Sequence, residues 1–107
     1  MKSLKFHKSL NELGQIAGIE IGGMLVLENS QQLKKELVDV VSCVSDQLEI
    51  AISNPEEIDI SCIQLIVGFI KSMNEINVTF QFTWNINEDQ KLLLENVGLS
   101  SELYLNN

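Results

Sequence analysis

The chain of 107 residues contains no arginine, one histidine, one proline and two cysteines. Without arginine there is no planar guanidinium fork to grip phosphates or guanine edges, and 7 Lys against 15 Asp and Glu leave a net charge of −8. Both features count against nucleic acid and against anionic lipid surfaces, and direct attention to a basic protein surface as partner. The lone histidine, His7, falls in an N-terminal stretch that alternates like a strand, which removes Ser-His triads and histidine-pair metal sites. No glycine-rich phosphate cradle or dinucleotide fingerprint is present, Gly22-Gly23 alone being too short a signal. Glu56, Glu57 and Asp59 lack the spaced loop that supplies calcium with about six to eight oxygens. A second placed acid for paired-carboxylate catalysis is also missing. These absences together predict a protein that is not an enzyme and uses no cofactor or metal.

Long apolar runs are missing as well. No segment approaches the ~20 apolar residues that span a bilayer, and the basic start MKSLKFHKSL is not followed by the apolar stretch of a signal peptide. Cys43 and Cys62 both fall in predicted helices and read as small buried hydrophobes of a reducing compartment, although a disulfide stays open on sequence grounds. The expectation is a cytoplasmic protein. What is present is ordinary globular material, with 45% apolar and 21% charged residues and length for one core. One domain over residues 1–107 follows, its oligomeric state left open.

Leu4 to Lys8 alternates as a half-exposed strand, Asn11 to Gly14 reads as a turn, and Gln15 to Ile21 as a second strand ending at the flexible pair Gly22-Gly23. Asn29 with Gln32 three residues on looks like a capping box opening a helix to about Val44, with Leu33, Leu37, Val40, Val41 and Val44 along one stripe. A strand is predicted over Gln47 to Ser53, then a helix from Cys62 to Met73. Val78 to Trp84 is a strand with Val78, Phe80, Phe82 and Trp84 on one side and Thr79, Gln81 and Thr83 on the other. Asn87 with Gln90 starts a further helix ending at Gly98, and Leu99 to Leu103 reads as a short closing helix. Strands separated by helical crossovers imply parallel βαβ units, and the polar alternation implies a sheet with one face only partly covered. The predicted class is α/β: a mixed sheet of about four to five strands with helices packed mainly on one face.

The chain is organised around Glu57 to Met73. A short apolar strand there passes through the turn Asp59-Ile60-Ser61 into an amphipathic helix, with Ser61 at its start. Ile63, Ile66, Val67, Ile70 and Met73 share a face, and Cys62, Leu65 and Phe69 widen it to about 200° at ~100° per residue. Two readings of that breadth stand side by side: a helix well covered by its neighbours, or one whose Leu65 and Phe69 edge meets a partner. Ser61 likewise has two readings. It forms a capping box with Gln64, or it lies where free backbone N–H groups and the helix dipole favour an added phosphate. The favourable dipole and the repulsion from Glu56, Glu57 and Asp59 nearly cancel, so phosphorylation is expected to alter a partner surface more than the fold.

From about Ile19 to Leu103 the chain resembles the STAS domain of bacterial anti-sigma-factor antagonists. The resemblance rests on four segments in order. Ile19 to Asn29 is similar to the family's strand-Gly-x-Leu entry to its first helix, and Asp59-Ile60-Ser61-Cys62 lies on its Asp-Ser-Ser-Gly turn. Ile63 to Ile66 matches the apolar run that follows, and Leu92 to Leu99 resembles the Leu-Leu…Gly-Leu closing helix. The chain departs from the pattern at Ile60, Cys62 and Val26, where the family carries serine, glycine and an acidic or hydroxyl residue. The resemblance implies that Ser61 is phosphorylated by a partner serine kinase of histidine-kinase-like fold, that the unmodified form binds this partner, and that the circuit serves a sigma factor, chemotaxis or a two-component system. Asp59, Ser61, Cys62, Leu65 and Phe69 are then the partner-binding residues. A second group of STAS proteins attaches to membrane transporters, such as lipid-transport ABC complexes, and there Ser61 would only cap its helix.

Overall fold

The computed structural model describes residues 3–96. Five strands, β1 (Leu4–Leu10), β2 (Ile16–Leu25), β3 (Val44–Ser53), β4 (Glu57–Ile58) and β5 (Thr79–Asn85), alternate with three helices, α1 (Ser30–Cys43), α2 (Ile60–Glu75) and α3 (Glu88–Asn96). The sheet order is β1-β2-β3-β5, with β4 paired to the far end of β2. Only β1 runs antiparallel to its neighbour; the β2–β3, β3–β5 and β2–β4 pairs are all parallel. The mixed α/β sheet expected from the pattern of apolar residues is therefore present.

Local chemistry accounts for the elements. The β1–β2 hairpin turns on Asn11, whose Oδ1 accepts from the amides of Leu13 (2.9 Å) and Gln15 (3.0 Å), a side chain imitating a turn carbonyl. On the helix side of the sheet, Ile19, Ile21, Leu48, Ile50, Ile52, Phe82 and Trp84 meet Leu33, Leu37 and Val40 of α1 and Ile63, Ile66, Ile70 and Met73 of α2, all buried in one core. The residues between them point the other way: Lys5, His7, Ser9, Glu20, Glu49, Gln81 and Thr83 are exposed on a polar, uncovered face. Burial of each large aliphatic side chain contributes about 1.5–3 kcal/mol, so this two-layer core carries most of the stability. Leu94 ties α3 to the same core. That helix opens with a reciprocal capping box, Gln90 N to Asn87 Oδ1 (2.8 Å) and Asn87 N to Gln90 Oε1 (3.1 Å), as its spacing predicts.

Three local expectations are corrected. Asn29 makes no side-chain cap on α1; its amide side chain turns back to the Met24 carbonyl instead (2.9 Å), and a 3-10 turn, Leu27–Asn29, leads into the helix. Val44 starts β3 and does not end α1, which leaves Cys43 exposed on the last helical residue. The strand β2 does not stop before Gly22-Gly23 but runs through them to Leu25. Glycine is required at both positions, because a Cβ on Gly22 would lie 2.7 Å from the Ser53 carbonyl oxygen. A Cβ on Gly23 (φ +74°) would lie 2.5 Å from that of Ser3. The readings of Gly98 as a cap and of Leu99 to Leu103 as a helix lie outside the described residues.

The glycine pair positions the start of α2. Past it, β2 leaves β1 and pairs with β4 through Met24–Glu57 and Leu25–Ile58, and the Asp59 amide donates to the Leu25 carbonyl (2.9 Å). The end of β2 and the start of α2 are thereby held side by side at the carboxyl edge of the parallel strands, where α/β sheets place functional loops.

Candidate functional site

Asp59 is the hub of this edge. It occupies the N-cap position of α2 in extended conformation (φ −121°, ψ 173°), and its Oδ1 accepts from the amides of Ser61 (3.1 Å) and Cys62 (3.4 Å). The Ser61 hydroxyl donates to the same oxygen. Oδ2 reaches across to the Leu27 amide at 2.8 Å, 32 residues away in the chain. One carboxylate thus closes the first turn of α2 and ties it to the 3-10 turn before α1.

This geometry corrects the sequence reading of Ser61. The cap is Asp59, Ile60 opens the helix, and Ser61 is its second residue, so the capping box with Gln64 does not form. Aspartate outcompetes serine for the role because it sits one residue before the helix with an acceptor already charged. The amides of Ser61 and Cys62, which would have received an added anion, are already engaged by Asp59. The hydroxyl itself stays half-buried at the rim with its proton directed to the carboxylate.

Electrostatics follow from these contacts. Burial alone would push the Asp59 carboxyl up, but the hydrogen bonds from the Ser61 hydroxyl and from the Leu27, Cys62 and Ser61 amides outweigh it and hold it below its ordinary value. A carboxylate so stabilised is a weak general base for the Ser61 proton at neutral pH. Cys62 lies behind it, fully buried, with Sγ donating to the Val26 carbonyl (3.5 Å). Burial, reinforced by the neighbouring Asp59 charge, pushes its thiol up to about 11. Val26 therefore takes part through its backbone, its side chain being buried.

The structure divides the five predicted site residues. Asp59 and Ser61 stand together at the rim. Cys62 (0% exposed) and Phe69 (5%) are buried among the core residues, so the broad apolar arc of α2 mostly fills the core. Leu65 is half-buried against that core. With Gly68, Gln64 and Ser72 it borders a shallow groove of about 300 Å³, closed on the α1 side by Lys34, Leu37, Val38 and Val41, with Phe69 also lining it. A larger concavity of about 730 Å³ runs along β5, lined by Asn74 and residues 78–83, and does not include Ser61. Sequence reasoning missed Leu27 and Ile60, which flank Asp59 and are 67% and 44% exposed; an aspartate two positions before the serine was the available signal. Acids Glu28, Glu56 and Glu57 are exposed nearby in sequence. Among the described residues no three His, Cys, Asp or Glu side chains are grouped to hold a metal ion, and no helix is long and apolar enough to cross a membrane.

The mixed five-stranded sheet with its helices has the fold of an anti-sigma factor antagonist, the STAS type. The particular structure that shows it is the crystal structure of an anti-sigma factor antagonist from Mycobacterium paratuberculosis. It superposes with a TM-score of 0.78 at 13% sequence identity, over 97% of this chain and 86% of that one. The likeness extends beyond residues 19–103, over which the sequence resemblance was read. No family model and no curated protein matches the chain.

Proposed function

We propose that this chain is a non-catalytic regulatory domain of the anti-sigma-factor-antagonist kind, which docks a protein partner through the rim around Ser61 and is released when Ser61 is phosphorylated. The observation that carries the reading is the position of Ser61: a half-buried hydroxyl in the first turn of α2, at the carboxyl edge of the parallel strands, in a fold shared with an anti-sigma factor antagonist. The partner is a serine kinase of histidine-kinase-like fold, or a signalling kinase of a chemotaxis or two-component circuit, in the cytoplasm. In the transfer, a phosphoryl group of a nucleotide held by that partner forms a bond to Ser61 Oγ as its bond to the nucleotide breaks. The hydroxyl proton leaves to a base. A net charge of −8 favours a basic partner face.

Substitution tests the reading in its own cells. Ser61→Ala should co-purify with the wild-type partner under all conditions, and Ser61→Asp should lose it. If both variants retain the partner as wild type does, the phosphoswitch is wrong. A second reading has one observation in its favour, the α1–α2 groove beside Leu65: a permanent accessory subunit of a membrane transporter, such as a lipid-transport ABC complex, in which Ser61 is structural. For that reading Leu65→Glu should release the chain from its complex, and unchanged retention would remove the groove from the interface.

A further inference from the structure

The carboxylate that receives the Ser61 hydroxyl also holds a segment of chain that Ser61 does not touch. Oδ1 of Asp59 carries the hydroxyl and two α2 amides, and Oδ2 carries the Leu27 amide. That amide opens the 3-10 turn Leu27–Asn29, which also carries Asn29 N to the Val26 carbonyl (2.8 Å), Ser30 Oγ to the Leu27 carbonyl (2.7 Å) and Asn29 Nδ2 to the Met24 carbonyl (2.9 Å). Leu27 itself is 67% exposed, so packing does little to hold it. The Asp59–Leu27 bond joins the turn to the start of α2, and the weak Cys62 thiol bond reaches Val26 just before the turn.

Phosphorylation of Ser61 changes this arrangement in a defined way. The ester oxygen has lost the proton that it donated to Oδ1, and a group of about −2 charge now adjoins the Asp59 carboxylate. Attraction becomes repulsion within one residue's reach. The carboxylate must turn away, and both of its ends move together because they belong to one rigid plane. We infer that Asp59 is a latch that transmits the state of Ser61 to the Leu27–Asn29 turn, so that modification of the serine remodels a second stretch of surface, with the exposed Leu27, as well as its own. The inference rests on the reading of Ser61 as the modified residue and names how that site is read out. Asp59 is a positioning residue in this account and not a catalytic one.

Amide hydrogen exchange on the full chain, resolved by residue, tests it without any partner. The Leu27 amide reports the latch, and the Asp59 amide, bonded to the Leu25 carbonyl, reports the β2–β4 pairing as an internal control. The samples are wild type, Ser61→Ala, Asp59→Asn, and the chain with phosphoserine installed at position 61 during translation. Leu27 should be protected in wild type and in Ser61→Ala, which leaves the carboxylate in place. It should exchange at least tenfold faster in the phosphorylated chain, with the Asp59 amide unchanged. Asp59→Asn should also free Leu27 while keeping the first turn of α2 protected, since an asparagine oxygen still caps the helix but its NH₂ cannot accept from Leu27. Wild-type protection of Leu27 in the phosphorylated chain would overturn the latch, and so would its persistence in Asp59→Asn. Failure of the phosphoswitch appears elsewhere, as partner retention by Ser61→Asp, so the two failures are separable.

Discussion

Replacing Asp59 by alanine removes four hydrogen bonds at one stroke, and the structure sets the scale of the loss. The helix cap, through the Ser61 and Cys62 amides, is worth about 1 kcal/mol. A hydrogen bond to a charged acceptor is worth about 1.5–3 kcal/mol when buried, but Asp59 is half-exposed and Leu27 lies at the surface, so water replaces part of that. The sum is about 2 kcal/mol, and for a domain of this size it lowers Tm by about 10 °C. Urea unfolding followed by circular dichroism measures it directly. The pH dependence gives a second handle. In the folded chain the Asp59 carboxyl titrates below its ordinary 3.8, so between those two values the unfolded state binds more protons than the folded one. Its contribution is complete above about 3.8 and is lost as pH falls through the folded value. Asp59→Asn should abolish that part of the acid dependence. An Asp59→Ala variant within about 0.5 kcal/mol of wild type at neutral pH would refute the hub, that being the ordinary range of an unremarkable surface substitution.

Two glycines should respond in opposite directions: Gly22→Ala places a Cβ 2.7 Å from the Ser53 carbonyl oxygen and should cost about 1–3 kcal/mol, whereas Gly68→Ala, in α2 with open space around it, should stabilise by about 0.4–1 kcal/mol. Denaturant midpoints compare them, and equal effects would mean the β2–β3 approach is looser than described. The cysteines should separate by reactivity: at pH 8 an alkylating reagent should label exposed Cys43 in the native chain and reach buried Cys62, with its thiol raised to about 11, only on unfolding. Mass spectrometry counts the labels, and rapid native labelling of Cys62 would contradict its burial. The same shift has a stability signature, since the unfolded thiol ionises first: stability should fall as pH rises from about 9 towards about 11, and Cys62→Ala should remove that slope.

How far the sequence alone carries depends on whether a feature is periodic or relational. The alternation of Phe80, Phe82 and Trp84 against Thr79, Gln81 and Thr83 marks β5 because period two is written residue by residue. The spacing of Asn87 and Gln90 similarly announces the α3 cap. The same spacing at Asn29 and Gln32 misleads: the Asn29 side chain makes no cap on α1, and its Nδ2 donates to the Met24 carbonyl five residues back. Ser61 is recognisable as standing at a helix start. An aspartate two positions before it signals the loss of the cap locally; what stays hidden is that Leu27 arrives from 32 residues away and makes the aspartate serve two elements. The width of the apolar arc on α2 left Cys62, Leu65 and Phe69 equivalent; packing against α1 and the sheet separates them, burying the first and third and leaving Leu65 at the groove. At 13% identity to a superposable structure, what is shared is the order and period of the elements more than particular side chains.

The proposed function requires Ser61 to be a modified residue and not merely part of a capped turn. Intact mass of the chain isolated from its own cells across growth and stress conditions, with fragmentation to place any added group, tests this most directly. A fraction of the chain should carry one phosphate on Ser61, rising and falling with conditions. A chain unmodified at Ser61 in every condition would contradict it and leave Asp59 and Ser61 as a structural cap.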